Sequence, residues 1–221
     1  MTSLRLEPWA EQRERWPDHG RHILAQFDDE TIVVYQAYRP EIARYVVEHQ
    51  RFGGPWSVDR MTWIKPNFLW MMYRCGWATK AGQEHVLAIW LPREVFEREI
   101  LAAAVHSSFV SETYGSREDW QHAVKASDVR LQWDPDHGPC GGKEERRAIQ
   151  LGLRRAATRR FADEWVLRIE DVTTLVAQQR EHLGELARLR TPSERVLPVS
   201  DPAVRSRLGL SSPRAARSQP L

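Results

Sequence analysis

The chain has 221 residues, of which 42% are hydrophobic and 28% charged, which is enough for one domain with a buried core and too little for two. The net charge is +2, but residues 201–221 carry four arginines and one aspartate, so the preceding 200 residues sum to −1. This balance argues against a nucleic-acid-binding surface spread over the folded part.

Tryptophan and cysteine usage narrow the class of protein further. The chain has ten tryptophans, and we assign roughly six or seven to core packing and the others to the walls of a cleft. The two cysteines, Cys75 and Cys140, are far apart and fit a reducing compartment. No apolar run matches a signal peptide or a membrane span, so we expect a cytoplasmic protein with no membrane partner.

Strand and helix patterns follow one another irregularly along the chain. Residues 1–24 are predicted to form an irregular arm. Thr31–Tyr38 is rich in β-branched and aromatic residues, which predicts a first buried strand, and Pro40 then opens a helix. Further strands are predicted at Met61–Lys65, His85–Leu91, Asp128–Trp133 and Glu164–Ile169. Further helices are predicted over Pro66–Cys75, from Pro92, after the capping residue Ser116, over Lys143–Arg160 and from Asp171.

The composition changes near the end of the chain. Beyond Arg190 the helical periodicity stops, and prolines, serines and arginines dominate, so residues 193–221 are predicted to be a disordered basic tail. The remaining strands and helices lack strict βαβ alternation. The predicted fold class for residues 25–192 is therefore a single α+β domain with a mixed or split β-sheet flanked by helices.

The first segment with possible chemistry is the aromatic run from Trp63 to Trp77. Lys65 and Asn67 lie at the predicted start of a helix, where free backbone N–H groups and the helix dipole favour an anion. Trp70, Tyr73 and Arg74 are neighbours at helical spacing and together can hold a base and a phosphate. The competing interpretation is a buried helix whose aromatic side chains belong to the core.

The second segment is Gln132–Gly138, at the end of a predicted strand. Residues two apart on a strand share a face, so Gln132 and Asp134 are expected on one side and Trp133 on the other. Asp134 would then present a carboxylate at a cleft, with His137 close by. Carboxylates here also fit a structural Pro-Asp turn, or a hard cation. The spacing matches no metal motif, so no metal is expected.

The third segment is Gly138–Lys143, which precedes the predicted basic helix. Glycines before a helix leave N–H groups bare, as phosphate sites require, although the segment is not a Walker A sequence and a flexible turn is the alternative. Residues 143–160 carry seven basic and two acidic side chains, which form either a solvated face or a surface that steers anions. Cys140 is a candidate nucleophile if His137 lies within reach.

Three runs carry a resemblance to a known family: Val34–Arg39, the string WIKPNFLWMMYR at 63–74, and Gln132–His137. Together they resemble the bacterial family catalogued as domain of unknown function 4291, over roughly residues 25–190. The family name implies no activity.

A more distant resemblance is to ADP-ribosyltransferase-like domains, which are small α+β folds with a split sheet. Arg39, Ser107-Ser108 and Gln132-x-Asp134 follow the order of that family's motifs, although Arg39 lies at a strand end and Asp134 replaces a longer Glu. The resemblance implies that Arg39 binds the phosphates of NAD and that Trp70 or Tyr73 stacks on a ring. Asp134 would hold the ribose as positive charge develops at the anomeric carbon.

The sequence therefore predicts an NAD-like nucleotide-binding, ADP-ribosyltransferase-like protein whose turnover is open. The predicted catalytic residues are Asp134 and Gln132, and the predicted ligand-binding residues are Arg39, Lys65, Asn67, Trp70, Tyr73, Arg74 and His137. An alternative is a non-catalytic module that binds single-stranded nucleic acid through Lys65, Tyr73, Arg74 and the arginines of residues 143–160. A third is an interaction protein whose tail recruits a partner.

Overall fold

The computed structural model describes residues 3–212. Within this range the strands are β1 (Leu6–Pro8), β2 (His19–Arg21), β3 (Leu24–Ala25), β4 (Thr31–Tyr38), β5 (Thr62–Ile64), β6 (His85–Pro92), β7 (Ala104–His106), β8 (Val129–His137), β9 (Lys143–Leu153), β10 (Arg168–Asp171), β11 (Arg190–Pro192) and β12 (Arg195–Val196). The α-helices are α1 (Trp9–Arg15), α2 (Pro40–His49), α3 (Phe68–Cys75), α4 (Arg93–Val95), α5 (Ser111–Tyr114), α6 (Arg117–Ala126), α7 (Arg155–Arg160), α8 (Thr173–Arg180) and α9 (Pro202–Leu208).

The fold is built around two larger β-sheets. The first is antiparallel and has the strand order β10-β6-β4. The second has the order β2-β9-β8-β7, and β5 pairs with residues 151–153 of β9 beyond the end of β2. Tyr35 and Lys65 exchange backbone hydrogen bonds of 2.7 and 3.2 Å, so the two sheets meet where β4 passes the end of β5. This arrangement confirms the predicted α+β class.

The three-stranded sheet is buried on both faces. Alternate residues of β4 enter two separate apolar clusters, Ile32 and Val34 on one side and Val33 and Tyr35 on the other. This is the period-two pattern of a strand covered on both faces. Seven of the ten tryptophans are buried, in agreement with the predicted share: Trp9, Trp16, Trp56, Trp70, Trp77, Trp90 and Trp165.

Several elements have the predicted bounds or caps. β4 spans the predicted residues, and α2 begins at Pro40. α3 ends where Gly76 takes a left-handed φ of 59°, a conformation that glycine adopts without a Cβ penalty. The Ser116 hydroxyl accepts the Asp119 amide at the start of α6, as its position in the sequence indicated.

The predicted basic helix over residues 143–160 is wrong. Residues 143–153 are β9, which pairs with β8 as a hairpin, and only Arg155–Arg160 is helical. Glu145 and Arg147 are exposed whereas Arg146 and Ala148 are buried, which is strand periodicity. Residues 138–142 are therefore the hairpin turn and not the start of a helix. The phosphate site predicted there loses its physical basis.

The ends of the described chain are ordered, contrary to the prediction. The segment before residue 25 contains β1, α1 and β2, and β1 pairs with β11. Residues after 193 form β12, which pairs with β3, and α9, whose Val204 and Leu208 are buried. Strands of two or three residues are too short to show periodicity, and their partners are far away in the sequence. Residues 213–221 of the predicted tail lie outside the described residues.

Three further segments differ from their predicted form. The helix predicted from Pro92 is α4 followed by a π-helical stretch, Phe96–Leu101, and Ala104 already belongs to β7. The strand predicted at 164–169 is β10, and Phe161–Trp165 is π-helical. The helix predicted from Asp171 is α8 alone, which begins at Thr173, ends at Arg180 and is followed by 3-10 turns. No helix among residues 3–212 is both long and apolar enough to cross a membrane.

Candidate functional site

A cleft of about 800 Å³ opens where the two sheets meet. Its walls come from the end of β4, the segment before β5, β5 itself, α3, and the paired strands β8 and β9. The residues around it are Gln36, Ala37, Tyr38, Arg39, Ile42, Pro55, Trp56, Ser57, Arg60, Met61, Thr62, Trp63, Lys65, Trp70, Met71, Arg74, Gly82, Gln83, Gln132, Asp134 and Gln150. Its volume lies within the range of about 300–1,000 Å³ that is typical of small-molecule sites.

The cleft is rich in positive charge. Its lining carries four cationic side chains, of Arg39, Arg60, Lys65 and Arg74, against the single carboxylate of Asp134. Arg39 pairs with Glu41 at 3.6 Å, but both side chains are more than half exposed, and such pairs contribute little. Arg60 and Arg74 form no ion pair within residues 3–212. These cations are therefore available to a bound anion, because few carboxylates of the described chain compete for them.

Asp134 is held in place by two carboxamides. Gln132 Nε2 donates to Asp134 Oδ1 at 2.8 Å, and Gln150 Nε2 donates to Asp134 Oδ2 at 2.7 Å. Gln132 and Gln150 face each other across the β8–β9 ladder, so the sheet fixes the orientation of the carboxylate. The predicted alternation is confirmed, because Trp133 lies on the other face and its Nε1 donates to the Leu208 carbonyl at 2.9 Å. Each Asp134 oxygen keeps lone-pair capacity for a ligand hydroxyl.

Lys65 is the buried cation of the cleft. It is only 7% exposed, and its Nζ donates to the carbonyl oxygen of Trp63 at 3.2 Å. Burial lowers the pKa of Lys65 to about 8, and the nearby Arg74 adds to this shift while Asp134 opposes it. About a tenth of Lys65 is therefore the free amine at neutral pH, a far larger share than for a lysine of ordinary pKa.

A hydrogen-bonded chain forms the β4 side of the cleft. Gln36 Nε2 donates to Thr62 Oγ1 at 2.6 Å, the Tyr38 hydroxyl lies 3.1 Å from the same oxygen, and Trp56 Nε1 donates to the Tyr38 hydroxyl. Burial raises the pKa of Tyr38 to about 12, so its phenol stays protonated. These neutral side chains are hydrogen-bonded to one another, and the cation Arg39 follows directly after Tyr38.

Three aromatic residues that were predicted to contact a ligand, Trp70, Tyr73 and His137, are stacked together. The ring centroids of Tyr73 and His137 are 3.5 Å apart, and Trp70 stacks beside both at 5.4 Å. Trp70 borders the cleft, whereas Tyr73 and His137 do not. Burial lowers the pKa of His137, so its ring is neutral. Tyr73 and His137 therefore contact Trp70 without bordering the cleft themselves, and their contact with a ligand remains a prediction.

Asn67 has a different role from the predicted one. Its Oδ1 accepts the Trp70 amide at 2.6 Å and caps α3, while its Nδ2 donates to Glu194 at 3.0 Å. The Glu194 carboxyl also accepts the Phe68 amide at 2.6 Å. Burial raises the pKa of Glu194 well above its usual range. The helix start that was expected to receive a ligand anion is already occupied by a carboxyl group of the chain itself.

Two other predicted groups lie away from the cleft. Ser107 and Ser108 follow β7 and are not among the lining residues. Cys140 is exposed in the hairpin turn, and its thiol donates to the Leu183 carbonyl at 3.5 Å. Within residues 3–212 no group of three His, Cys, Asp or Glu side chains is arranged to hold a metal ion.

The cleft also contains residues that the sequence did not single out. Gln150 comes from the segment predicted as a helix, and Arg60 and Gln36 lie outside the predicted site. Gln36 is 3% exposed and its Oε1 has no hydrogen-bond partner within the described chain. The sequence feature that could have identified Gln36 is a polar side chain within the mostly apolar strand β4, because a buried carboxamide needs hydrogen-bond partners.

A comparison with protein families gives one match. The family model described as "Domain of unknown function (DUF4291)" matches residues 22–198. The matched range contains every residue around the cleft. No curated protein matches the sequence.

Proposed function

The chain belongs to the DUF4291 family, whose description assigns no activity, and from the geometry of the cleft we propose that it binds an anionic, nucleotide-like ligand with NAD as the leading candidate. The observation that carries the proposal is the convergence of Arg39, Lys65 and Arg74 with a clamped Asp134 in one cavity. These residues come from separate segments of the chain, since Arg39 follows β4, Lys65 follows β5, Arg74 lies on α3 and Asp134 on β8. Cations beside a fixed carboxylate match the chemistry of a ligand that has both phosphates and sugar hydroxyls.

Each part of such a ligand has a complementary group. Arg39, Arg60 and Arg74 are exposed enough to donate hydrogen bonds to a diphosphate. Asp134 can accept from two ribose hydroxyls while Gln132 and Gln150 hold it in position. Trp63 and Trp70 offer apolar surface for a ring.

Transfer of ADP-ribose is the reaction that fits this arrangement. The bond between nicotinamide and the anomeric carbon breaks, nicotinamide leaves with the electron pair, and an acceptor nucleophile forms the new bond. The fixed Asp134 carboxylate would stabilise the positive charge that develops on the sugar. Ser107 and Ser108 lie outside the cleft, which differs from the ADP-ribosyltransferase pattern. We therefore propose ligand binding first and ADP-ribose transfer second.

The nucleic-acid alternative has lost part of its support. The arginines of residues 143–160 do not form one basic face, because Arg146 is buried against Asp136. Arg154 donates to the carbonyls of Val124 and Ser127, and Arg160 pairs with Glu99. What remains for a single strand is the positively charged lining of the cleft itself.

Thermal unfolding with a ligand panel tests the proposal. NAD, ADP-ribose, ATP and short oligonucleotides are added separately, and a ligand at a hundred times its dissociation constant stabilises the fold by about 2.7 kcal/mol. We expect stabilisation by NAD or ADP-ribose that is lost in Arg39→Ala and kept in Arg44→Ala, which removes an exposed arginine of α2 outside the cleft. A shift with oligonucleotides alone, weakening steeply with salt, would favour the nucleic-acid module.

A further inference from the structure

Lys65 is placed unlike the other lysines of the chain. Its backbone is fixed by the two hydrogen bonds with Tyr35 at the junction of the sheets, and its side chain borders the cleft. The chain's other lysines, Lys80, Lys125 and Lys143, are exposed. Lys65 is therefore a primary amine held at a constant position inside a cavity that is large enough for a ligand.

The surroundings of Lys65 favour its neutral form. The charged groups that act on it are Arg74 on α3, which disfavours the ammonium, and Asp134 on β8, which favours it. The buried Cys75 thiol also acts on it weakly. Its one hydrogen-bond acceptor is the neutral carbonyl of Trp63, and it forms no ion pair within the described residues. A buried lysine without a paired carboxylate has the properties of a nucleophilic or Schiff-base lysine.

We infer that Lys65 is a nucleophile that forms a Schiff base with an aldehyde or ketone carried by an anionic ligand of the cleft, an inference that rests on the proposed binding function. The lone pair of Nζ adds to the carbonyl carbon, and the carbonyl oxygen takes up the proton that the nitrogen loses. The resulting carbinolamine expels water and leaves a C=N bond, so no oxidant or reductant is consumed. A phosphorylated sugar whose ring opens to an aldehyde, such as ADP-ribose, belongs to this ligand class.

Reductive trapping on the full chain tests the inference. Glyoxylate, a small anionic aldehyde, is added near neutral pH together with cyanoborohydride, which reduces an imine to a stable secondary amine. Peptide mapping by mass spectrometry then gives the modification rate of each lysine. Because each unit of lowered pKa raises the neutral fraction about tenfold, we expect Lys65 to react at least about tenfold faster than each exposed lysine despite its restricted access.

Two variants and two competing ligands separate the outcomes. Lys65→Arg should lose the fast adduct, and Lys125→Arg should keep it. Equal rates at all four lysines, or an unmodified Lys65, would overturn the inference, and this mapping on the native chain does not depend on a variant that folds. If ADP-ribose stabilises the fold while Lys65 stays unmodified, the inference fails and the binding function stands. If Lys65 is modified rapidly but neither NAD nor ADP-ribose slows it, the reactive amine is supported and the nucleotide ligand is wrong.

Discussion

Replacing Arg146 with alanine is expected to destabilise the fold by about 3–5 kcal/mol, because it leaves the carboxylate of Asp136 buried without its partner. The two side chains are 5% and 1% exposed, and Arg146 also lies over the Trp16 ring at 5.2 Å. Burial raises the pKa of Asp136 even with Arg146 beside it. The pair joins β8 to β9, and Asp136 lies two residues from Asp134 on the same strand, so loss of the pair also loosens the strand that carries Asp134.

Chemical denaturation of two neighbouring variants measures this effect. Arg147→Ala is the matched control, since Arg147 is the next residue on β9 and is exposed, and its change should stay within about 0.5 kcal/mol. Adding Asp136→Asn to Arg146→Ala should recover part of the loss by removing the unpaired charge. Equal stability of Arg146→Ala and Arg147→Ala would show that the buried ion pair does not hold the hairpin.

Replacing Lys65 with methionine is expected to stabilise the fold by about 2–3 kcal/mol at neutral pH, because folding then no longer buries an ammonium group. Methionine has a similar length and no charge. The Trp63 carbonyl keeps a partner, since Gln36 Nε2 also donates to it at 3.1 Å. A gain in stability from removing a site residue is typical of functional positions, where the native residue is not the most stable one.

The pH dependence of the Lys65→Met gain has a definite sign. The pKa of Lys65 is about 8 in the folded chain and 10.5 in its ordinary environment, so the unfolded chain binds more protons between these values. The wild-type stability therefore rises with pH across this interval, and the advantage of Lys65→Met shrinks there. Lys125→Met, at an exposed lysine, should change stability by less than about 0.5 kcal/mol at every pH. A destabilised Lys65→Met at neutral pH would contradict the burial argument.

The local patterns of the sequence predicted correctly which neighbouring side chains share a face. The period of two on β8 put Gln132 and Asp134 on one face, and the aromatic helix placed Trp70 and Arg74 together. The strand-and-helix content also gave the α+β class. These features depend only on residues close in sequence, whose spacing sets which side chains share a face.

Features that depend on distant pairs could not be predicted. Gln150 reaches Asp134 only because β9 pairs with β8, and the charged residues of β9 are also typical of a solvated helix. Glu194 fills the start of α3 from 127 positions away, so the free helix end expected near Asn67 does not exist. Short strands at both ends find their partners in the same way, and so β12 lies in a segment whose composition predicted disorder.

Calorimetric titration of ADP-ribose into two charge-reversed variants tests the central claim most directly. Arg74→Glu and Arg147→Glu change the net charge equally, but only Arg74 borders the cleft. The account predicts that Arg74→Glu weakens binding at least about tenfold, or about 1.4 kcal/mol, while Arg147→Glu stays close to wild type. Binding that is unchanged in Arg74→Glu, or weakened equally in both variants, would contradict a ligand site in this cleft.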